Sequence, residues 1–188
     1  MRTDYPVILD ACVLARGRVC DLYLRLAEPP RLYLPRWSPA ILDEVRRTQI
    51  EKLDPAFTPA QADYWRQQAT RAFPEASVEH YSQHLPSLTN HPKDRHVLAA
   101  AIESGSRLIV TFNLKDFPAA SLTPFSIEAV HPQDYLLTLY SMTPAIVMAK
   151  LAAMAERRKL HLEDLLIQLG RSVPEFAAQV LKDMGGAA

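Results

Sequence analysis

"DRHVLAAAIESGSRLIVTFNLKDF" (residues 94–117) decides the fold. An alanine-rich apolar run ends at Gly105, the usual residue just past a helix C-terminus, where the left-handed backbone costs glycine little. "RLIVTF" follows, short and continuously apolar, as expected of a strand buried on both faces of a parallel sheet. A helix feeding such a strand is half of a βαβ unit. The unit is dry in the middle and acidic at its ends. Asp94 opens the helix, and Asp116 lies in the loop "NLKDFPAA" that leaves the strand.

The same grammar extends upstream and downstream. "PVILD" (residues 6–10) is a short apolar run closed by an acid. "RLYLP" (31–35), "ASVEHY" (76–81) and "FSIEAV" (125–130) read as further strands. Val13, Leu14, Val19, Leu22 and Leu26 supply the apolar residues of a helical stretch that stops at Pro29-Pro30. Ser38-Pro39 and Thr58-Pro59 each pair an N-cap with a proline in the first turn, opening two more helices. Strands alternating with helices predict an α/β fold with a mostly parallel sheet covered on both faces and right-handed crossovers. After His131-Pro132 the pattern becomes entirely helical. The expected division is an α/β domain over residues 1–142 and a C-terminal helical appendage over 143–188. Ile146, Val147, Leu151 and Met154 of the appendage need a covering surface. That surface is this chain, a second copy, or another protein, and the chain itself is the default.

Composition narrows the function. The 21 basic and 21 acidic residues cancel, so no strongly basic nucleic-acid surface stands out globally. Cys12 and Cys20 match no zinc spacing and make no disulfide scaffold, which points to reduced thiols and a cytoplasmic protein. No run approaches the ~18 apolar residues of a membrane span. The first residues do not read as a signal peptide, because the apolar stretch breaks at Asp10. Neither GxGxxG nor a Walker A pattern is present.

Parallel sheets bind ligands outside the carboxyl ends of their strands. Asp10 ends the first strand. A helix running antiparallel to the strands begins at that same edge, so Asp94 opens there too, with Asp116 close by. Glu44 lies one turn into the Ser38-Pro39 helix, near the same edge. Several carboxylates in one cleft repel one another unless a divalent cation sits among them. Mg²⁺ and Mn²⁺ prefer such oxygen ligands, and two of them can promote phosphodiester hydrolysis.

"VILDACVL", "WSPAILDEVRR", "DRHVLAAAIESG" and "LIVTFNLKDFP" together, in this order and spacing, resemble the PIN-domain family of metal-dependent ribonucleases, especially toxin-like members of the VapC type. The resemblance covers roughly residues 7–130. It implies a Rossmann-like α/β/α sandwich, a Mg²⁺ or Mn²⁺ cofactor, endoribonuclease activity on RNA, a cognate antitoxin as partner and, in many members, a homodimer. Carried over position by position, it implies a catalytic set of Asp10, Glu44, Asp94 and Asp116, with Asp10, Asp94 and Asp116 holding the metal. Where many members have an acid directly after the strand, this chain has Asn113, which offers a neutral oxygen and no charge. Cys12 replaces a small polar residue, which puts a supporting contact to Asp10 in question. The helical tail lies outside the motif.

Each residue also has a plainer reading. Asp10 can be a cap, Asp94 can complement a helix dipole, and Glu44 can belong to a salt-bridged face in "DEVRR". Thr111 is either a donor to a ligating carboxylate or to phosphate, or an ordinary strand residue. Lys93, Arg95, Lys115, Arg46 and Arg47 can hold phosphates or simply be solvated. His80 and His84 share i,i+4 spacing without a common element, and His96 reads as a packing or surface residue. "ERRK" (residues 156–159) is a phosphate contact or a charged helix end. The alternative to a nuclease is a degenerate PIN-like binding module acting through its helical tail. A structure-selective DNA nuclease is weaker still, since zero net charge disfavours tight duplex binding.

Overall fold

The computed structural model describes residues 5–53 and 55–186, so the reading of the first four residues lies outside them. Four short strands, β1 (Pro6–Leu9), β2 (Leu34–Arg36), β3 (Leu108–Val110) and β4 (Glu128–Val130), form one sheet in the order β2-β1-β3-β4. Every pairing is parallel, with Leu9 beside Val110 and Val110 beside Val130. The protein is therefore α/β, its sheet flanked by helices as in the α/β/α sandwich expected. Val7, Ile8, Leu9, Ile109 and Val110 are fully buried, which is why these strands read as unbroken apolar runs.

Among the described residues, ten α-helices accompany the sheet: α1 (Ala11–Leu14), α2 (Gly17–Ala27), α3 (Pro39–Glu51), α4 (Pro59–Ala72), α5 (Arg95–Glu103), α6 (Ala119–Leu122), α7 (Pro132–Met142), α8 (Pro144–Arg157), α9 (Leu162–Gly170) and α10 (Pro174–Gly185). Ser38 caps α3 through Ile41 N–H, and Thr58 with Gln61 forms a reciprocal capping box on α4. Gly105 ends the turn after α5 at φ 65°, the left-handed region its missing side chain permits.

Local departures from the expected elements have local causes. The helix expected through residues 13–26 breaks at Arg16 into α1 and α2. Residues 76–81 make no strand, only a single parallel bridge from Ser77 to Trp37. His80 turns to φ 58° there, which ends extended backbone, and the 3₁₀ segment Tyr81–Ser87 follows. β4 is shorter than "FSIEAV" because Thr123–Phe125 forms a 3₁₀ turn and Ser126 is left-handed at φ 54°.

The last three helices close on the rest of the chain. Val147, Leu151 and Met154 of α8 and Leu165, Leu166 and Leu169 of α9 are completely buried in the same apolar cluster as the sheet. Each such side chain contributes roughly 1.5–3 kcal/mol over leaving it in water. Polar ties reinforce the seam: Arg158 bridges to Asp21 of α2 at 2.8 Å, and Lys150 Nζ donates to the carbonyls of Glu28 and Pro29. The basic end of α8 thus engages α2. Among the described residues, no single helix is long and apolar enough to cross a membrane.

Candidate metal centre

Strand order reverses between β1 and β3, since β2 lies beyond β1 and β4 beyond β3. Such a switch point opens a crevice at the carboxyl ends of the strands. Asp10 leaves β1 there and caps α1; its N–H still bonds to Val110 O at 3.1 Å. The side chain is only 3% exposed. One oxygen accepts from Ala11 N–H at 2.6 Å. The other accepts from the Thr111 hydroxyl at 2.6 Å and the Cys12 thiol at 3.1 Å. Thr111 is thus a donor to the carboxylate. Cys12 makes the supporting contact that its identity had put in question, and its sulfur also accepts from Phe112 N–H at 3.3 Å. Burial nevertheless pushes the Asp10 carboxyl above its ordinary range, outweighing these hydrogen bonds, and Glu44's charge adds to the rise.

Asp94 ends a 3₁₀ turn, Pro92–Asp94, at the mouth of α5. Its carboxyl is also pushed up, first by burial and then by the negative charges of Asp10, Asp116 and Glu44, with His91 working the other way. Asp94 therefore feels acids from three other segments. Asp116 sits in the 3₁₀ turn Leu114–Asp116, and its carbonyl accepts from His91 N–H at 3.4 Å.

Glu44 is turned away from the salt-bridged face. That face belongs to Asp43 and Arg46, which pair with Arg66 and Asp63 of α4. Glu44, with a side chain 39% exposed, instead meets His96 Nε2 at 3.5 Å, too long for a hydrogen bond but close for an ion pair. His96 is the main cause holding the Glu44 carboxyl below its ordinary range, against partial burial. For His96 itself, burial acts downward, but Glu44 and then Asp10 raise it overall.

His91, Asp94 and Asp116 each offer a ligand atom, all within 4.8 Å of one another. Asp10 and Glu44 lie outside that tight group yet within its electrostatic reach. The surplus negative charge and the donor set, carboxylate oxygens with one imidazole nitrogen, fit a divalent cation. His91 was not foreseen from sequence; its signal was the "HPKD" string, three residues ahead of Asp94. Near the same strand ends, the Arg16 guanidinium lies 4.0 Å over the Phe112 ring, whose neighbour is His131. Asn113 is exposed, and its N–H donates to Thr111 Oγ1. Lys93 and Lys115 are exposed, whereas Arg95 donates to Asn90 O. His84 is engaged by Glu103 at 2.8 Å, away from this centre.

No family model matches the chain, and no solved structure matches it. Among curated proteins, it is 40% identical over 103 residues to a Mycobacterium tuberculosis protein named "Putative ribonuclease VapC50". The match covers 53% of this chain and 60% of that protein, so the chain spans less than two thirds of this relative's length. Over that part, the similarity supports a VapC-like relationship.

Proposed function

We propose that the protein is a divalent-metal-dependent endoribonuclease and the toxin of a toxin–antitoxin pair. Residues 1–142 carry the nuclease and residues 143–188 extend it. Asp10, Asp94 and Asp116 hold Mg²⁺ or Mn²⁺, and Glu44 orients a second ion or the attacking water. The observation that carries this reading is the gathering of acids from distant segments at the switch point of a parallel sheet, with Asp94 and Asp116 in one group of ligand atoms within 4.8 Å and Asp10 leaving the adjacent strand. A named ribonuclease relative adds to it. When bound, the cation supplies Lewis-acid activation of water and stabilises the leaving oxygen.

The chain's own residues do the positioning. Thr111 and Cys12 fix one Asp10 oxygen, Ala11 N–H fixes the other, and His96 steadies Glu44. Arg16, over the Phe112 ring, with exposed Lys93 and Lys115, supplies positive charge for RNA phosphates.

Purified protein with Mn²⁺ should cleave RNA, and Asp10→Asn should stop cleavage without unfolding the chain. Activity that survives EDTA, or survives Asp10→Asn, rejects the metal mechanism. The absence of Mn²⁺ binding at millimolar concentration in a calorimetric titration favours the binding-module alternative. An antitoxin should co-purify when the neighbouring reading frame is co-expressed.

A further inference from the structure

We propose that His91 ligates the metal directly and that its imidazole biases the centre toward Mn²⁺ and later first-row ions over Mg²⁺. This rests on the reading above that a divalent cation binds at these acids. The argument starts from the "HPKD" string. Pro92 keeps the preceding His91 out of the helical region, and it sits at φ −52° and ψ 129°. Asp94 N–H then donates to His91 O at 2.9 Å and closes a 3₁₀ turn. Residues three apart eclipse in such a turn, so the ring and the carboxylate face each other, Nδ1 to Oδ2 at 3.2 Å. His91 N–H also reaches the Asp116 carbonyl, tying in the loop that brings the third member.

His91 Nδ1 accepts a long 3.4 Å hydrogen bond from Lys93 N–H. A proton on Nδ1 bridges the ring to Asp94 Oδ2, whereas with the proton on Nε2 the Nδ1 lone pair stands 3.2 Å from that carboxylate oxygen. A cation can take the place of that bridging proton. The His91 side chain is 48% exposed against 12% for Asp94, so the ring can swing onto an ion without repacking the core.

The selectivity follows from donor chemistry. Mg²⁺ is bound through oxygen and retained waters. Imidazole nitrogen suits the transition ions, with affinity rising from Mn²⁺ through Fe²⁺ and Co²⁺ to Ni²⁺. Asp10, Glu44, Asp94 and Asp116 offer only oxygen. Of the other imidazoles at this edge, His96 turns its Nε2 to Glu44 and His131 Nδ1 accepts from Gln133 N–H at 3.2 Å. His91 therefore sets the preference.

The test uses the full chain loaded with Mn²⁺ and pulsed electron paramagnetic resonance. Nitrogen modulation from a coordinated imidazole should appear in the wild type and in His96→Ala, and vanish in His91→Ala and His91→Asn. Asparagine places an oxygen near the Nδ1 position, so His91→Asn should lower the ratio of Mn²⁺ to Mg²⁺ affinity. Loss of Mn²⁺ affinity in His91→Ala should be at least the roughly 10–100-fold typical of losing a group that merely supports a ligand. Bound Mn²⁺ without nitrogen modulation, or modulation that survives His91→Ala, overturns the proposal and leaves the metal reading standing. No Mn²⁺ bound at millimolar concentration removes both.

Discussion

The Thr111 hydroxyl donates to Asp10 Oδ2 at 2.6 Å, joining the ends of β1 and β3 across 101 positions of sequence. Thr111 Oγ1 also accepts from Asn113 N–H at 3.0 Å. Thr111→Val keeps the shape and removes both roles. It should cost about 1–3 kcal/mol in urea unfolding, the expected penalty for stranding buried polar partners. RNA cleavage should fall on the order of 10–100-fold, as for other lost supporting groups. Thr111→Ser should retain most of both, and an inert Thr111→Val would reject the role.

Cys12 holds Asp10 as a thiol, not a thiolate. Burial and the Asp10 charge push its pKa well above the ordinary thiol range, and burial does the same for Cys20. Neither should react with iodoacetamide at pH 8 in the folded protein, whereas both should react in urea. Cys12→Ser should keep cleavage activity and Cys12→Ala should lower it. Rapid native labelling of Cys12 would contradict the geometry.

Asp94 predicts a pH effect on the ion-free chain. Burial and three neighbouring acids raise its folded-state pKa above 3.8, the ordinary value. A group of this kind contributes stability fully below its unfolded pKa and loses it as pH rises through the raised folded value. In EDTA, the Asp94 contribution should therefore lower Tm at pH 7 relative to mild acid, opposite in sign to that of Glu44, whose carboxyl is held down. Asp94→Asn should flatten that slope and raise Tm at pH 7, by roughly 2–4 °C for each kcal/mol relieved in a chain of this size. The same variant should lose any Tm increase that Mn²⁺ gives the wild type.

Glu44 is half-buried and held by His96, not by a surface ion pair. Glu44→Gln should leave the melting curve nearly unchanged while cutting turnover about 10²-fold or more, the usual scale for a positioned carboxylate in proton transfer. A loss confined to KM would place Glu44 in RNA binding instead.

Leu151 is completely buried where α8 meets the rest of the chain. Leu151→Ala should cost about 2–5 kcal/mol. The loss should appear in a single unfolding transition followed both by far-ultraviolet circular dichroism and by the fluorescence of Trp37 and Trp65. Two separate transitions would mean that the tail folds independently of the sheet.

Much of the fold was legible because its signals are local. "PVILD" and "RLIVTF" had to be buried strands, and proline after serine or threonine announced α3 and α4. The parallel-sheet rule, which sends strand ends and helix starts to one edge, made a gathering of acids there legible, but not that Asp10 and Glu44 would lie outside the tight group of His91, Asp94 and Asp116. What escaped depended on backbone detail that composition does not encode. A left-handed His80 dissolved one expected strand. A 3₁₀ turn, where an α-helix start was expected, carried His91 over Asp94. The partner of Glu44 was equally hidden, since pairing it with His96 needs the packing of α3 against α5.

The long reach of the Asp10–Thr111 bond also sets a schedule for biosynthesis. A growing polypeptide still short of β3 has made Asp10 and Glu44 but has nothing to hold them in register, and ordering the intervening loop must wait for the strand that rewards it. Ribosome-tethered fragments ending before residue 107 should therefore be harmless to the messages around them, a point that translation of truncated, stalled templates can check directly.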